Sequence, residues 1–169
     1  MIYKSKLKDI KAFVFDVDGV FTNSQVLLHP DGDLLRSMNT RDGFAVKTAI
    51  DAGFKVCIIS GGRSQAVRTR LLNLGLKDVY LGVGDKLEIF KEYCEDENLK
   101  PENVLYMGDD IPDYDVMKIV GLACAPKDAA EEILEIAHYV SFANGGEGCV
   151  RDVVEQTLKI HGKWFKAEK

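Results

Sequence analysis

With 169 residues, 46% of them hydrophobic, the chain can bury a core of ordinary size within one domain. A formal net charge of −5 argues against nucleic acid or an anionic membrane as main partner. No apolar run nears the roughly 20 residues of a membrane-spanning helix. Cys57, Cys94, Cys124 and Cys149 are scattered, with neither metal-ligand spacing nor the density of a disulfide scaffold. Met1 to Lys11 alternates lysines with isolated apolar residues, unlike a signal peptide. A cytoplasmic protein with reduced thiols is the expectation.

Lys11–Phe15 is predicted as the first strand, since Ala12 to Phe15 carry no charge. Asp16 and Asp18 follow at once, with Gly19 behind them. Side chains alternate along an extended chain, so carboxylates two residues apart point the same way. Like charges so close need a cation, a proton or a reacting electrophile between them. In a parallel α/β sheet the crevice outside the carboxyl ends of the strands is where ligands bind. The pair suits Mg²⁺-assisted attack by an aspartate on phosphorus, although an ordinary Asp-Gly turn would look the same in isolation.

Gln25–Leu28 and Leu34–Met38 flank the turn signal Pro30-Asp31-Gly32-Asp33, which predicts a β-hairpin insertion over residues 22–38. Val26, Leu27, Leu28, Leu34 and Leu35 give it more apolar surface than a lone flap keeps in water, which favours contact with a second subunit. Further strands are predicted at Lys55–Ser60, Val79–Leu81, Val104–Met107 and Leu122–Ala125. Helical spacing falls between them, at Asp42–Ala52, Ser64–Leu74, Lys86–Asn98 and Asp113–Val120. Gly53 and Gly75 stand at helix C-caps. Such repeated β-α units imply an α/β fold, a doubly wound and mainly parallel sheet with helices on both faces. No linker divides residues 1–169, so one domain is expected.

The later strand ends carry chemistry as well. Ser60-Gly61-Gly62-Arg63-Ser64 offers a hydroxyl, free backbone N–H groups and a guanidinium at a helix start, a phosphate-binding composition that a plain β-α turn could also have. Lys86 opens a helix, where the dipole disfavours a cation unless an anion faces it or solvent takes it. Gly108-Asp109-Asp110-Ile111-Pro112-Asp113 follows an apolar strand, as the first acidic pair does.

In this order the four strand ends match the four motifs of the haloacid dehalogenase superfamily, which the chain resembles over nearly its whole length. The resemblance implies a Rossmann-like sheet and a role for each residue. Asp16 is the expected nucleophile and Asp18 the general acid and base. Mg²⁺ is expected on the Asp16 carboxylate, the Asp18 backbone carbonyl and Asp109. Ser60 and Lys86 are expected on the phosphoryl oxygens, with Asp110 and Asp113 orienting Lys86 or metal-bound water. Only the hairpin fills the place where larger members insert a cap domain.

This layout is similar to the cap-less branch that dephosphorylates keto-deoxy sugar acids for lipopolysaccharide synthesis. Asp16-Val17-Asp18-Gly19-Val20-Phe21-Thr22, Asn39-Thr40-Arg41-Asp42-Gly43 and Gly145-Gly146-Glu147-Gly148-Cys149-Val150-Arg151 carry the likeness. The implied substrate is 3-deoxy-D-manno-octulosonate 8-phosphate, in a homotetramer whose hairpins assemble together. Arg41 and Arg63, with Gly61 and Gly62 beside them, are the expected partners of the substrate and its carboxylate. In such an assembly the loop Asn144–Gly148, with the helix beyond it, could reach a neighbouring site, which the sequence leaves open. Gly62 and Glu147 depart from some members of the branch, and the Gly-Gly-Glu-Gly loop also fits a phosphatase of the nine-carbon 2-keto-3-deoxynononate 9-phosphate. A receiver-like phospho-acceptor module is the alternative of another class, but its acidic pair is adjacent rather than spaced by one.

Overall fold

The computed structural model describes residues 2–168. β1 (Ala12–Phe15) is buried at every position, as a central strand covered on both faces must be. It pairs in parallel with β4 (Lys55–Ile59) on one side and β6 (Val104–Met107) on the other. β5 (Asp78–Tyr80) lies outside β4, while β7 (Leu122–Ala125) and β8 (Tyr139–Val140) lie outside β6. All pairings in this sheet of six strands, ordered β5-β4-β1-β6-β7-β8, are parallel. The chain winds outward from β1 to β5 and then crosses to the other side of β1. The carboxyl ends of β1, β4 and β6 therefore surround the ligand crevice of an open parallel sheet.

Alternation along β1 builds two cores. Phe13 and Phe15 join Val46, Leu71, Val150 and Val154 on one face, beneath α2 (Thr40–Asp51), α3 (Gln65–Asn73) and α7 (Cys149–Ile160). Val14 joins Phe90, Tyr93, Tyr106 and Met117 on the other, beneath α4 (Lys86–Asp96) and α5 (Tyr114–Met117). Each such aromatic or aliphatic side chain contributes about 1.5–3 kcal/mol on burial, which holds the strand ends, and so the site, rigidly. All four cysteines are free and buried in these cores. Among the described residues no helix is long and apolar enough to cross a membrane.

Three local features differ from the sequence-based expectations. The predicted helix over Asp113–Val120 is a 3-10 turn at Ile111–Asp113 followed by the single turn of α5. Pro112 and a capping box between Asp110 and Asp113 form that first turn. The hairpin strands shrink to β2 (Leu27–Leu28) and β3 (Leu34–Leu35), paired antiparallel. A short α1 (Ile2–Lys6), α6 (Glu131–Ile136) and the edge strand β8 were not expected. Among the described residues the hairpin is the insertion that stands at the carboxyl end of the sheet, and there is no cap domain. Leu27 and Leu28 are 68% and 73% exposed on it.

Candidate active site

Three strand ends meet at Lys86. Asp16 ends β1 and is buried; its Oδ1 accepts a hydrogen bond from the Val17 amide at 2.6 Å, and its Oδ2 faces Lys86 Nζ at 3.0 Å. Lys86 is the first residue of α4, behind the N-cap Asp85, whose side chain accepts from the Glu88 amide at 3.0 Å. Its ammonium also donates to Asp113 Oδ1 at 2.8 Å. Tyr106, on β6, donates its hydroxyl to the same oxygen at 2.5 Å, and the amides of Asp109 and Asp110 donate to Asp113 Oδ2 at 3.0 and 3.4 Å. Both oxygens of Asp113 are thus spoken for, which makes it the post that fixes Lys86 and the loop after β6. Asp110 is the N-cap of the following 3-10 turn.

Carboxylate atoms of Asp16, Asp109 and Asp113 lie within 4.8 Å of one another. Three carboxylates against one ammonium leave two uncompensated negative charges. Burial, then the Asp113 charge, push Asp16 up to about 7 in spite of Lys86. Burial, then Asp16 and Asp113, push Asp109 up to about 8. Burial alone would lower Lys86, but the two facing carboxylates outweigh it and hold the ammonium charged. A divalent cation is the species that fits this balance. Gly19 leaves room for the Asp109 carboxylate, since a Cβ there would stand 1.8 Å from Asp109 Oδ2.

Ser60, at the end of β4, is 2% exposed, and its Oγ accepts from the Gly62 amide at 3.2 Å. A Cβ on Gly62 would lie 3.3 Å from Asp18 Oδ2 and 3.6 Å from Ser60 Oγ, so the loop after β4 closes on the Asp18 side of the site. Gly61, Gly62, Arg63 and Ser64 line one wall of a cavity of about 520 Å³, and the hairpin residues 32–36 line the other. Arg63 is exposed and its stem packs over Gly82. Arg41 is also exposed, in the first turn of α2, and is not among the residues lining that cavity.

Sequence reasoning passed over two groups. Arg36, just past β3, donates from Nε and Nη2 to the two oxygens of Asp18 at 2.6 and 3.2 Å. No motif marks it, because the hairpin around it reads only as a turn between apolar runs. Tyr106 lies within an apolar strand, and only its buried partner Asp113 reveals a polar task. The loop Asn144–Gly148 packs on its own chain: the Gly146 amide donates to the Val20 carbonyl at 3.0 Å, and Cys149 Sγ contacts that carbonyl at 3.1 Å.

The family model of haloacid dehalogenase-like hydrolases matches residues 78–151. The chain is 35% identical over 164 residues to the 3-deoxy-D-manno-octulosonate 8-phosphate phosphatase of Salmonella typhi, covering 97% of this chain and 87% of that one. The chain belongs to the 3-deoxy-D-manno-octulosonate 8-phosphate phosphatase family. Solved structures agree. The Yersinia pestis phosphatase of that name superposes with a TM-score of 0.93 at 34% identity, covering 96% of this chain and 88% of that one. The Moraxella catarrhalis phosphatase, solved with magnesium ion, phosphate ion and a KDO molecule, gives a TM-score of 0.90 at 29% identity, covering 94% and 91%. Members are phosphoric monoester hydrolases, and the mainly parallel, cap-less fold expected from the sequence is the one observed.

Proposed function

We propose that the protein is a Mg²⁺-dependent phosphatase that hydrolyses 3-deoxy-D-manno-octulosonate 8-phosphate. The observation that carries this reading is the convergence of Asp16, Lys86 and Asp113 at the carboxyl end of the sheet, in a chain so similar to phosphatases of that name. Asp16 attacks phosphorus as the bond to the sugar oxygen breaks, giving an aspartyl-phosphate, and Asp18 supplies the proton that the leaving alkoxide takes. Asp18 then accepts a proton from water as the water attacks phosphorus and the bond from Asp16 to phosphorus breaks, which releases orthophosphate and returns the Asp16 carboxylate. Ser60 and the Lys86 ammonium bind phosphoryl oxygens, where charge builds in the transition state. Asp113 orients Lys86, and Asp110 shapes the loop. The Asp16 and Asp109 carboxylates and the Asp18 backbone carbonyl would hold Mg²⁺, which when bound offsets the repulsion between an anionic nucleophile and an anionic phosphate.

Arg63 at the cavity rim and Arg41 on α2 are proposed as guanidinium partners for the sugar acid, with the Gly61 and Gly62 backbone beside them. A homotetramer is the proposed assembly, because the hairpin leaves Leu27 and Leu28 bare to solvent. Four free, buried cysteines support work in a reducing cytoplasm. The Gly145-Gly146-Glu147-Gly148 loop favours, as second reading, the nine-carbon 2-keto-3-deoxynononate 9-phosphate. Phosphate release from the eight-carbon, nine-carbon and neutral sugar phosphates with Mg²⁺ decides between them. The highest kcat/KM is expected on the eight-carbon acid, and a preference for the nine-carbon one replaces the first reading with the second.

A further inference from the structure

Arg36 leaves the hairpin and reaches back across the mouth of the site. While Nε and Nη2 grip Asp18, Nη1 donates to the Leu34 carbonyl at 2.9 Å, which ties the grip to the hairpin backbone. The arginine side chain is only 7% exposed, against 39% for that of Asp18. The fork is therefore a sheltered contact and not a loose surface pair. Gly62 makes space for it, since a Cβ there would stand 3.2 Å from Nη2.

A carboxylate held through both oxygens by a guanidinium has two of its roughly four lone-pair sites occupied, and the pairing favours the anion over the protonated form that a leaving group needs. Opening this fork favours the proton transfers assigned to Asp18. Arg36 lines the same cavity as Arg63 and Ser64. A second carboxylate arriving there can take the guanidinium without leaving it unpaired, because the planar fork matches any carboxylate. A neutral sugar offers no such exchange, and a sheltered guanidinium without an anion is costly.

We propose that Arg36 receives the substrate carboxylate, and that its transfer from Asp18 to the sugar acid frees Asp18 for catalysis. The inference rests on the phosphatase reading above and deepens it: the carboxylate becomes a condition of turnover as well as of affinity.

The test compares wild type, Arg36→Gln and Arg36→Lys on a keto-deoxy sugar acid phosphate and on neutral glucose 6-phosphate. In Arg36→Gln, kcat/KM for the acid is expected to fall about 10- to 100-fold, the loss of a bidentate charge-assisted contact. The same variant is expected to turn over glucose 6-phosphate faster, so the preference for the acid collapses. Arg36→Lys keeps the charge without the fork and should restore only part of that preference. An unchanged ratio, whether both rates fall together or neither moves, overturns the proposal, because a group that merely supports Asp18 serves both substrates alike. Calorimetric titration with the dephosphorylated 3-deoxy sugar acid judges Arg36 apart from turnover. Binding is expected to weaken about tenfold in Arg36→Gln, and equal affinities overturn the proposal. Should wild type release phosphate from neither sugar, the phosphatase reading fails, and the titration still decides the role of Arg36.

Discussion

Gly145 lies so close to Gly19 that a Cβ on it would stand 2.0 Å from the Gly19 carbonyl oxygen. The Asp128 side chain fixes this approach by accepting from the Gly145 amide at 2.8 Å. Asn39 Nδ2 adds a longer contact of 3.4 Å to the Gly146 carbonyl. The late glycine loop is thus the back wall of the turn that carries Asp16 and Asp18. Residues more than a hundred positions apart set the aim of the two carboxylates.

Gly145→Ala is expected to destabilise the protein by about 1–3 kcal/mol, as overpacking against fixed backbone does. It should also lower kcat more than about tenfold by shifting the Asp18 turn. The urea midpoint and steady-state kinetics read both effects. Normal kcat in a folded Gly145→Ala protein would show that the wall does not aim the site.

Asp16→Asn should reduce turnover by about 10⁴-fold or more, since an amide is a poor nucleophile. Asp18→Asn should cost about 10²–10⁴-fold and let phosphate accumulate on Asp16. Acid-quenched protein mass spectrometry detects the adduct. Near-normal turnover by either variant would remove the assigned roles.

Asp16 and Asp109 both carry folded pKa values above the ordinary 3.8, at about 7 and about 8. The metal-free folded protein therefore keeps protons that the unfolded chain has given up. The resulting stability is present at low pH and is lost as pH rises through 7 and 8. In chelator the Tm should drop by about 5 °C between pH 6 and pH 8.5. Added Mg²⁺ should remove most of that drop, with activity returning in parallel and Ca²⁺ substituting poorly because it prefers longer, less regular ligand distances. A Tm at pH 8.5 indifferent to Mg²⁺ would argue against the acidic cluster as its site.

Much of this was legible in the sequence because the groups proposed as catalytic stand at the ends of buried strands. Phe13-Val14-Phe15 and Val104-Leu105-Tyr106-Met107 are apolar on both faces, so the first acid beyond each marks a strand end. Edge elements gave weaker signals. Tyr139–Val140 is too short for alternation to register, and α6 is only six residues long. Arg36 was illegible for another reason: its meaning is a contact across eighteen positions with Asp18, which no local spacing encodes.

Leu27→Asp should break the proposed tetramer, since a charge on a contact surface of leucines repels its copies. Light scattering coupled to size exclusion gives the mass directly. A wild-type protein that is monomeric and fully active on the sugar acid phosphate would rule the assembly out.

Arg63→Ala should raise KM for the sugar acid phosphate about tenfold, and by far less for phenyl phosphate, which has no carboxylate. Equal shifts for the two substrates would place Arg63 on the phosphate instead.

The buried cysteines have a practical use. Cys57, Cys124 and Cys149 are fully enclosed and Cys94 is 5% exposed, and burial pushes all four thiols up, away from the reactive thiolate. A new cysteine at the hairpin tip, Asp31→Cys, would then react far ahead of the native thiols with a maleimide dye. Fluorescence from that single label would report the hairpin's surroundings in the native fold, with every original cysteine left in place.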